Sequence, residues 1–419
     1  MAGICSQLST NNYRIVNNTD EVLIQALAAH KAGDWSLLSQ HLQQLILKED
    51  SQQPEIVKNR QHLLELALSV LEMGDFQQRW EVAKVFVGLG DIAIAPLIDI
   101  LSDEDAEEEL RWYAVGILGD LKNPKAIASI VELLKTSEDE ELKALAATAL
   151  GQIGSHAIAG VTELLTSIDT RLLAVRSLAY IRQKEIITPL LSVVQDPEIA
   201  VRTAAIEALS SFHDPRIPPI LLNALSDVAA PVRREAVLGL GFRPDLGEEL
   251  NLVAKLQPML YDQNIEVSCA AVLAMQRMGS HAAEQELFSV LMSPQTPIKL
   301  QLEIIRALSW METLSSLEYL QQAFNQLSHL TLWLEIVTVF GRVSNSTLTI
   351  KASEILLVIL QSFHPAVEIA EIKSAIALSL GQLGNTAAIE PLTCLLTDKN
   401  EVVRLHVVAA LKNLESEGV

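Results

Sequence analysis

Thiols and imidazoles are the residues most able to do chemistry here, and neither type gathers into a working set. The chain has 3 cysteines and 9 histidines. Cys5, Cys269 and Cys394 stand far apart, with no CxxC pair and no even framework, a pattern that suits a reducing compartment. A thiol that binds metal must be partly exposed. Cys269, near the start of a helix, is the one candidate, whereas Cys394 sits in an apolar segment and reads as a buried small hydrophobe. No histidine forms HxxxH or HExxH. His156 and His281 each stand in Gly-Ser-His-Ala, a repeated turn in which Ser155 and Ser280 are expected to cap the next helix. No glycine-rich phosphate loop, nucleophile elbow or paired acid and base emerges. The expectation is a chain with no catalytic residue, no cofactor and no metal site of its own beyond Cys269.

Charge narrows the partners. The net charge of -21, from 52 acidic against 31 basic residues, repels phosphate backbones and anionic lipid headgroups, so nucleic acid is not expected to bind. The start, MAGICSQLSTNNYR, has no basic region leading into an apolar run, and no stretch reaches ~18 uninterrupted apolar residues. A cytoplasmic protein without a membrane span is expected. Acidic runs at 103–109 and 138–141 lie one period apart. Acids at a helix start complement its dipole, by about 0.3 to 1 kcal/mol each; a basic segment of a partner could dock there as well.

The elements that carry these residues repeat. LGQIG at 150–154 returns as LGQLG at 380–384. Taking the residue before the glycine as anchor gives Val87, Leu118, Leu150, Leu178, Leu209, Leu240, Met275, Leu308, Phe340, Leu380 and Leu411, most of them 31 to 33 residues apart. Positions four and three before the anchor are small or branched apolar residues, as in Ala114 and Val115 or Ala236 and Val237. With the anchor they make the buried stripe of a helix, here called B. Upstream of each lies a second apolar segment, helix A, ending in a polar turn that often carries Asp103, Asp196, Asp227, Asp262 or Asp398. Pro96, Pro189 and Pro391 fall near the start of helix A, where proline is tolerated. A basic residue recurs seven before the anchor, at Arg111, Lys143, Arg171, Arg202, Arg233, Lys373 and Arg404, and with the turn aspartate predicts a hydrogen-bonded ladder from repeat to repeat.

The pattern resembles HEAT repeats, in particular the HEAT-like repeats of the phycobilin lyase E/F group of cyanobacteria. It covers about residues 76–414, best at DPEIAVRTAAIEAL (196–209) and NEVVRLHVVAAL (400–411). The resemblance implies an all-α fold, an α-solenoid of about ten to eleven helical hairpins. Residues 1–18 are expected as a loose tail, 19–75 as an N-terminal helical cap and 76–419 as the solenoid, with an insertion near 341–353. The last B helix is expected to be shielded.

In HEAT arrays helix B lines the concave side, where partners commonly sit. Positions five before, two before and two after the anchor share one face of B. They read Tyr113, Arg176, Tyr180, Glu207, Glu235, Phe242, Arg277, Glu303, Arg306, Trp310, Glu335 and Arg342. Aromatic and arginine side chains are enriched at the energetic centres of interfaces, which puts Tyr180, Phe242, Arg277, Arg306 and Trp310 first. The expected function is a non-catalytic scaffold or adaptor in cofactor-protein assembly. The resemblance also implies two specific alternatives: a phycobilin lyase or isomerase subunit acting on phycobiliproteins, and an adaptor for an A-type iron–sulfur carrier. Bilin or iron–sulfur cluster would then come through the partner.

Overall fold

The computed structural model describes residues 21–47, 54–103 and 105–416, and all regular structure among them is helical. The expected tail at 1–18 lies outside the described residues, as does Glu104 of the acidic run. The chain divides into two compact units, 1–208 and 209–419.

Unit 1 begins with α1 (21–32), α2 (Trp35–Ile46), α3 (Pro54–Met73) and α4 (Phe76–Leu89). Helices of type A and B then alternate: α5 (Ile94–Ser102) with α6 (Glu108–Leu121), α7 (Ile127–Thr136) with α8 (Glu140–Ile153), and α9 (Ile158–Leu164) with α10 (Ile168–Ile181). The short α11 (Ile187–Leu191) leads to α12 (Ile199–Leu209). Unit 2 continues the alternation with α13 (Ile217–Ala224) and α14 (Ala230–Gly241), α15 (Leu252–Leu256) and α16 (Ile265–Met278), α17 (His281–Met292) and α18 (Ile298–Met311). It ends with α19 (Leu314–Gln326) and α20 (Leu330–Phe340), α21 (Ser346–Gln361) and α22 (Ala370–Leu383), α23 (Ile389–Cys394) and α24 (Glu401–Ser416). The chain is an α-solenoid of helical hairpins.

The B helices from α6 to α22 bury the stripe read from sequence: Ala114, Val115 and Leu118 in α6 and Ala236, Val237 and Leu240 in α14 are fully buried, whereas Val408 of the stripe in α24 is exposed. Successive B helices pack more intimately than successive A helices, so B forms the inner layer of each unit. The glycine after the anchor makes this approach sterically achievable. A Cβ on Gly119 would stand 2.9 Å from Ala149 Cβ, and one on Gly241 2.9 Å from Ala274 Cβ. The residue before the next anchor is what it meets.

The first anchor is corrected by one residue. Val87 is 46% exposed, whereas Phe86 is fully buried with Val82 one turn earlier. The stripe therefore runs through Phe86, and the basic residue seven before it is Arg79. Two apolar stretches, Phe76–Ser102 and Glu140–Leu164, are as long and apolar as a membrane-crossing helix. Each is interrupted, at Gly90 (φ 69°) and Gly154 (φ 84°), backbone angles that end a right-handed helix. The polar stretch 341–353 runs from a turn into α21, a 16-residue helix capped by Asn345. At the other end Val402, Leu405 and Val408 of α24 are 52–60% exposed, so no described residue shields that helix.

The ladder forms, with a division of labour within each rung. Arg233 reaches back to the carbonyls of Asp227 (2.9 Å) and Val228 (3.1 Å) and forward to both carboxylate oxygens of Asp262 (2.7 and 2.8 Å). Arg171 bonds the Leu165 carbonyl and pairs with Asp196, and Lys373 pairs with Asp398 at 3.0 Å. Arg79 contacts Glu72 O and pairs with Glu107 and Glu109. Lys143 departs from the pattern and pairs with Glu140 in its own helix. Each turn aspartate also accepts a backbone N–H two residues on, at 2.8 Å for Asp262 and Asp398. A second device ties α17 to α19: the carboxylate of Glu284, 1% exposed, accepts from Thr313 Oγ1 at 2.5 Å and from the Ser315 hydroxyl.

Two outcomes check this packing. Gly241→Ala should lower stability by about 1 to 3 kcal/mol, because the added methyl overpacks the contact with Ala274. Gly116→Ala, in open space on α6, should raise it by about 0.5 to 1 kcal/mol; equal urea midpoints for the two variants would remove the argument. Arg233 beside Asp262 holds that carboxyl below its ordinary range. A depressed folded-state value means the stabilisation is full above the unfolded value and fades as pH falls through the folded one. Asp262→Asn should therefore destabilise at neutral pH by about 3 kcal/mol and flatten the loss of stability below pH ~4, as read from melting curves over a pH series.

Candidate protein-binding face

In unit 1 the expected row splits. Tyr113 is 2% exposed, its hydroxyl donating to the Phe76 carbonyl at 2.9 Å, and its ring packs against Phe76 and Trp112. Burial, with Glu109 nearby, pushes its phenol pKa up. It is a core residue, not a contact residue, because five before the anchor turns toward the preceding B helix. Arg176, Tyr180 and Glu207 are exposed as expected, Tyr180 at 57%. The aromatic that sequence reasoning missed is Trp80, 50% exposed on α4; it stands six before Phe86, a position the expected row did not include.

In unit 2 three polar members of the row, Glu303, Arg306 and Glu335, pair with one another. Arg306 Nε donates to Glu335 at 2.8 Å and its Nη1 to Glu303 at 3.0 Å. The half-buried Glu235 pairs with Arg234. Lys299 and Glu266, one repeat apart, pair at 2.5 Å, which raises the lysine and lowers the carboxyl. Arg277 lies over the Phe242 ring, 4.2 Å from its centroid, so two expected anchors of successive repeats form a cation–π pair. Arg342 is exposed at the end of α20. What stays uncompensated is apolar: Trp310 is 77% exposed and Phe242 54%.

One further position was not foreseen, six before the anchor and one turn from the expected position two before it. Positions two and six before the anchor carry Leu273 and Leu378, 36% and 38% exposed, with Leu302 and Leu334 half-buried between them. The spacing i, i+4 from six to two before the anchor was the available signal.

The thiols separate differently from expectation. Cys394 is exposed, contrary to its reading as a buried hydrophobe, because the six-residue α23 buries only Leu392. Cys269 is partly exposed, and burial, with Glu303 and Glu266, pushes its thiol pKa up against the opposing pull of Lys299. A thiol held protonated is a poor metal ligand, and no group of three potential ligands gathers among the described residues. Ser280 caps α17 by accepting from Ala283 N–H, as expected; Ser155 caps nothing, because Gly154–Ala157 is a 3-10 turn. His281 rests at 3.3 Å from Glu284, and His156 is exposed. Within the acidic runs, Glu107 and Glu109 hold Arg79, and Asp139 caps α8.

Residues 94–169 and 158–241 match HEAT repeats, and 372–398 match the PBS lyase HEAT-like repeat. No curated protein matches the chain in sequence. Among solved structures, the karyopherin Kap95p, in a complex with RanGDP, is 13% identical with a TM-score of 0.55, the alignment covering 98% of this chain and 63% of that one. Kap121p bound to the extreme C-terminus of the protein phosphatase Cdc14p is 13% identical with a TM-score of 0.53, over 90% of this chain and 52% of that one. This chain thus spans about half to two thirds of those karyopherin chains, and the likeness is one of fold. The CpcE–CpcF phycocyanin lyase complex from Nostoc sp. PCC7120 is 19% identical over 54% of this chain and 92% of that one, with a TM-score of 0.29.

Burial predicts which members of the row are structural. Tyr113→Phe should cost about 1 kcal/mol by removing the hydroxyl's bond to the Phe76 carbonyl, while Trp310→Ala should stay within about 0.5 kcal/mol of the parent. Guanidinium unfolding of both decides it; a larger loss at Trp310 would mean that its ring is held in the fold.

Proposed function

Because the chain is built of HEAT repeats, we propose that it is a non-catalytic scaffold that holds protein partners on the inner faces of its B helices and serves assembly of a cofactor-carrying protein. HEAT solenoids bind proteins. The observation that carries the reading is the chemistry of the B-helix faces. In unit 2 Arg306 is spent on Glu303 and Glu335 and Lys299 on Glu266, while Phe242 and Trp310 there, and Tyr180 in unit 1, stay more than half exposed. Large exposed aromatics amid self-paired charges give an interface core with a polar surround, the arrangement in which a few anchors supply most of the binding energy. The choice of a cofactor-protein partner is supported by the PBS lyase HEAT-like repeat at 372–398.

That same repeat favours a second reading, a phycobilin lyase subunit acting on phycobiliproteins. It requires the chain to hold a tetrapyrrole and hand it on. Two measurements on one preparation separate the readings. Immobilised protein should retain an apo-phycobiliprotein or an A-type iron–sulfur carrier, and a Phe242→Ala, Arg306→Ala, Trp310→Ala triple variant should weaken retention at least about 10-fold, or 1.4 kcal/mol. Unchanged retention by the triple variant would sink the inner-face reading. Incubation with phycocyanobilin should leave the pigment's absorbance unchanged; a shift followed by transfer to the apo-phycobiliprotein would replace the scaffold with the lyase.

A further inference from the structure

Between α22 and α24, on the inner face of unit 2, lies a groove of about 330 Å³. Ala375, Leu378 and Val402 give it apolar walls, with Ser374, His406 and Glu371 the polar members used below. Ser374 stands six before its anchor, where the two preceding repeats carry Leu302 and Leu334. Its side chain is 5% exposed, yet its Oγ has no hydrogen-bond partner. Many helix hydroxyls of the molecule bond the carbonyl four residues back, as Ser69 does to Glu65 and Thr148 to Ala144, both at 3.0 Å, whereas Ser39 and Ser353 are, like Ser374, buried without a partner. Ser374 forgoes that bond. His406 Nδ1, across the groove on α24, is likewise buried and unpartnered. Buried polar atoms are nearly always paired, so two orphans in one groove call for a partner from outside.

We infer that this groove is a seat for an extended segment of a partner protein, which inserts one aliphatic side chain and sets a lysine or arginine beside it. The volume lies at the low end of ligand pockets, roughly 300 to 1,000 Å³, and so suits an anchor residue rather than a large pigment. An amphipathic helix needs a row of anchors at i, i+3 and i+7, for which a single pocket is too short. An extended backbone offers an N–H and a C=O beside each inserted side chain, matching a hydroxyl that both donates and accepts and an imidazole nitrogen. No bond holds the Ser374 hydroxyl, so it is free to turn toward that backbone. Glu371 supplies the remaining element: it is the one charged lining residue, exposed and in no ion pair among the described residues. Its carboxylate favours a cation at the mouth and disfavours carboxylate-bearing ligands.

The inference rests on the inner-face reading and is tested separately from it. A random twelve-residue peptide library is selected on the full immobilised chain and, in parallel, on Ala375→Trp, which fills the groove, and on Glu371→Lys, a surface change that leaves the packing alone. Sequences retained by the parent should be enriched at least about fivefold in Leu, Ile or Val adjoining Lys or Arg. Synthetic peptides of that set should bind Glu371→Lys about tenfold more weakly and Ser374→Ala a few-fold more weakly, and should not bind Ala375→Trp once its melting curve shows it folded. Peptides that bind all variants equally, or a selected set without the aliphatic–basic pairing, would overturn the groove. If those same peptides are lost on Trp310→Ala instead, the inner-face reading stands and this seat falls; if the parent retains no peptide, the seat falls outright.

Discussion

Glycines let one B helix approach the helix that follows it closely enough to exclude a side chain. At Gly119 and Ala149, at Gly241 and Ala274, and at Gly381 and Ala410, one B helix comes so near the next that a single methyl would stand within about 3 Å of its neighbour. That distance sets the spacing of the inner layer. It explains the small residues four before the anchor in most repeats, which face the same crowded seam, whereas A helices stand further apart. Close approach of backbones buries apolar area efficiently without large residues, consistent with a chain in which only 4% of residues are aromatic.

Close packing alone permits sliding, since a seam of small residues is smooth. The ladder of basic side chains and turn aspartates removes that freedom. Arg233 holds two carbonyls of its own turn and the carboxylate of the next, so a displacement of one repeat against the other breaks several charged hydrogen bonds together. The aspartate is itself oriented by a backbone N–H two residues on, which gives the arginine a fixed target. Glu284 does a comparable job between A helices, with two hydroxyls in place of a cation. These ties repeat with the period, and their residues are spent on the fold.

The proposed binding face is what that arrangement leaves over. With successive B helices level and close, the positions two after, two before and six before each anchor have no neighbour above them. In unit 2 Arg306 at such a position is held by Glu303 and Glu335, and Arg277 lies over the Phe242 ring. Where they carry Trp310, Leu378 or Phe242, nothing in the fold covers them fully. The acidic runs follow the same economy, for Glu107, Glu109 and Asp139 serve the local structure.

Periodicity was enough to read the helical hairpins, the buried stripe and the ladder from sequence, because a solenoid repeats the same local contacts and each repeat prints them again in the same places. The residue before a glycine located Leu118, Leu150, Leu240, Phe340 and Leu380, and the period carried the reading to the other anchors; the first failed by one residue, since VGLG offers two glycines and only packing selects Phe86 over Val87. Spacing named a helix face for Tyr113 but could not say that this face turns toward Phe76, nor that Arg277 would lie over Phe242. It was silent on the groove that leaves Ser374 and His406 without partners. Those outcomes depend on the angle and distance at which one helix meets the next, and these quantities arise between repeats, where the sequence of any one of them holds no record.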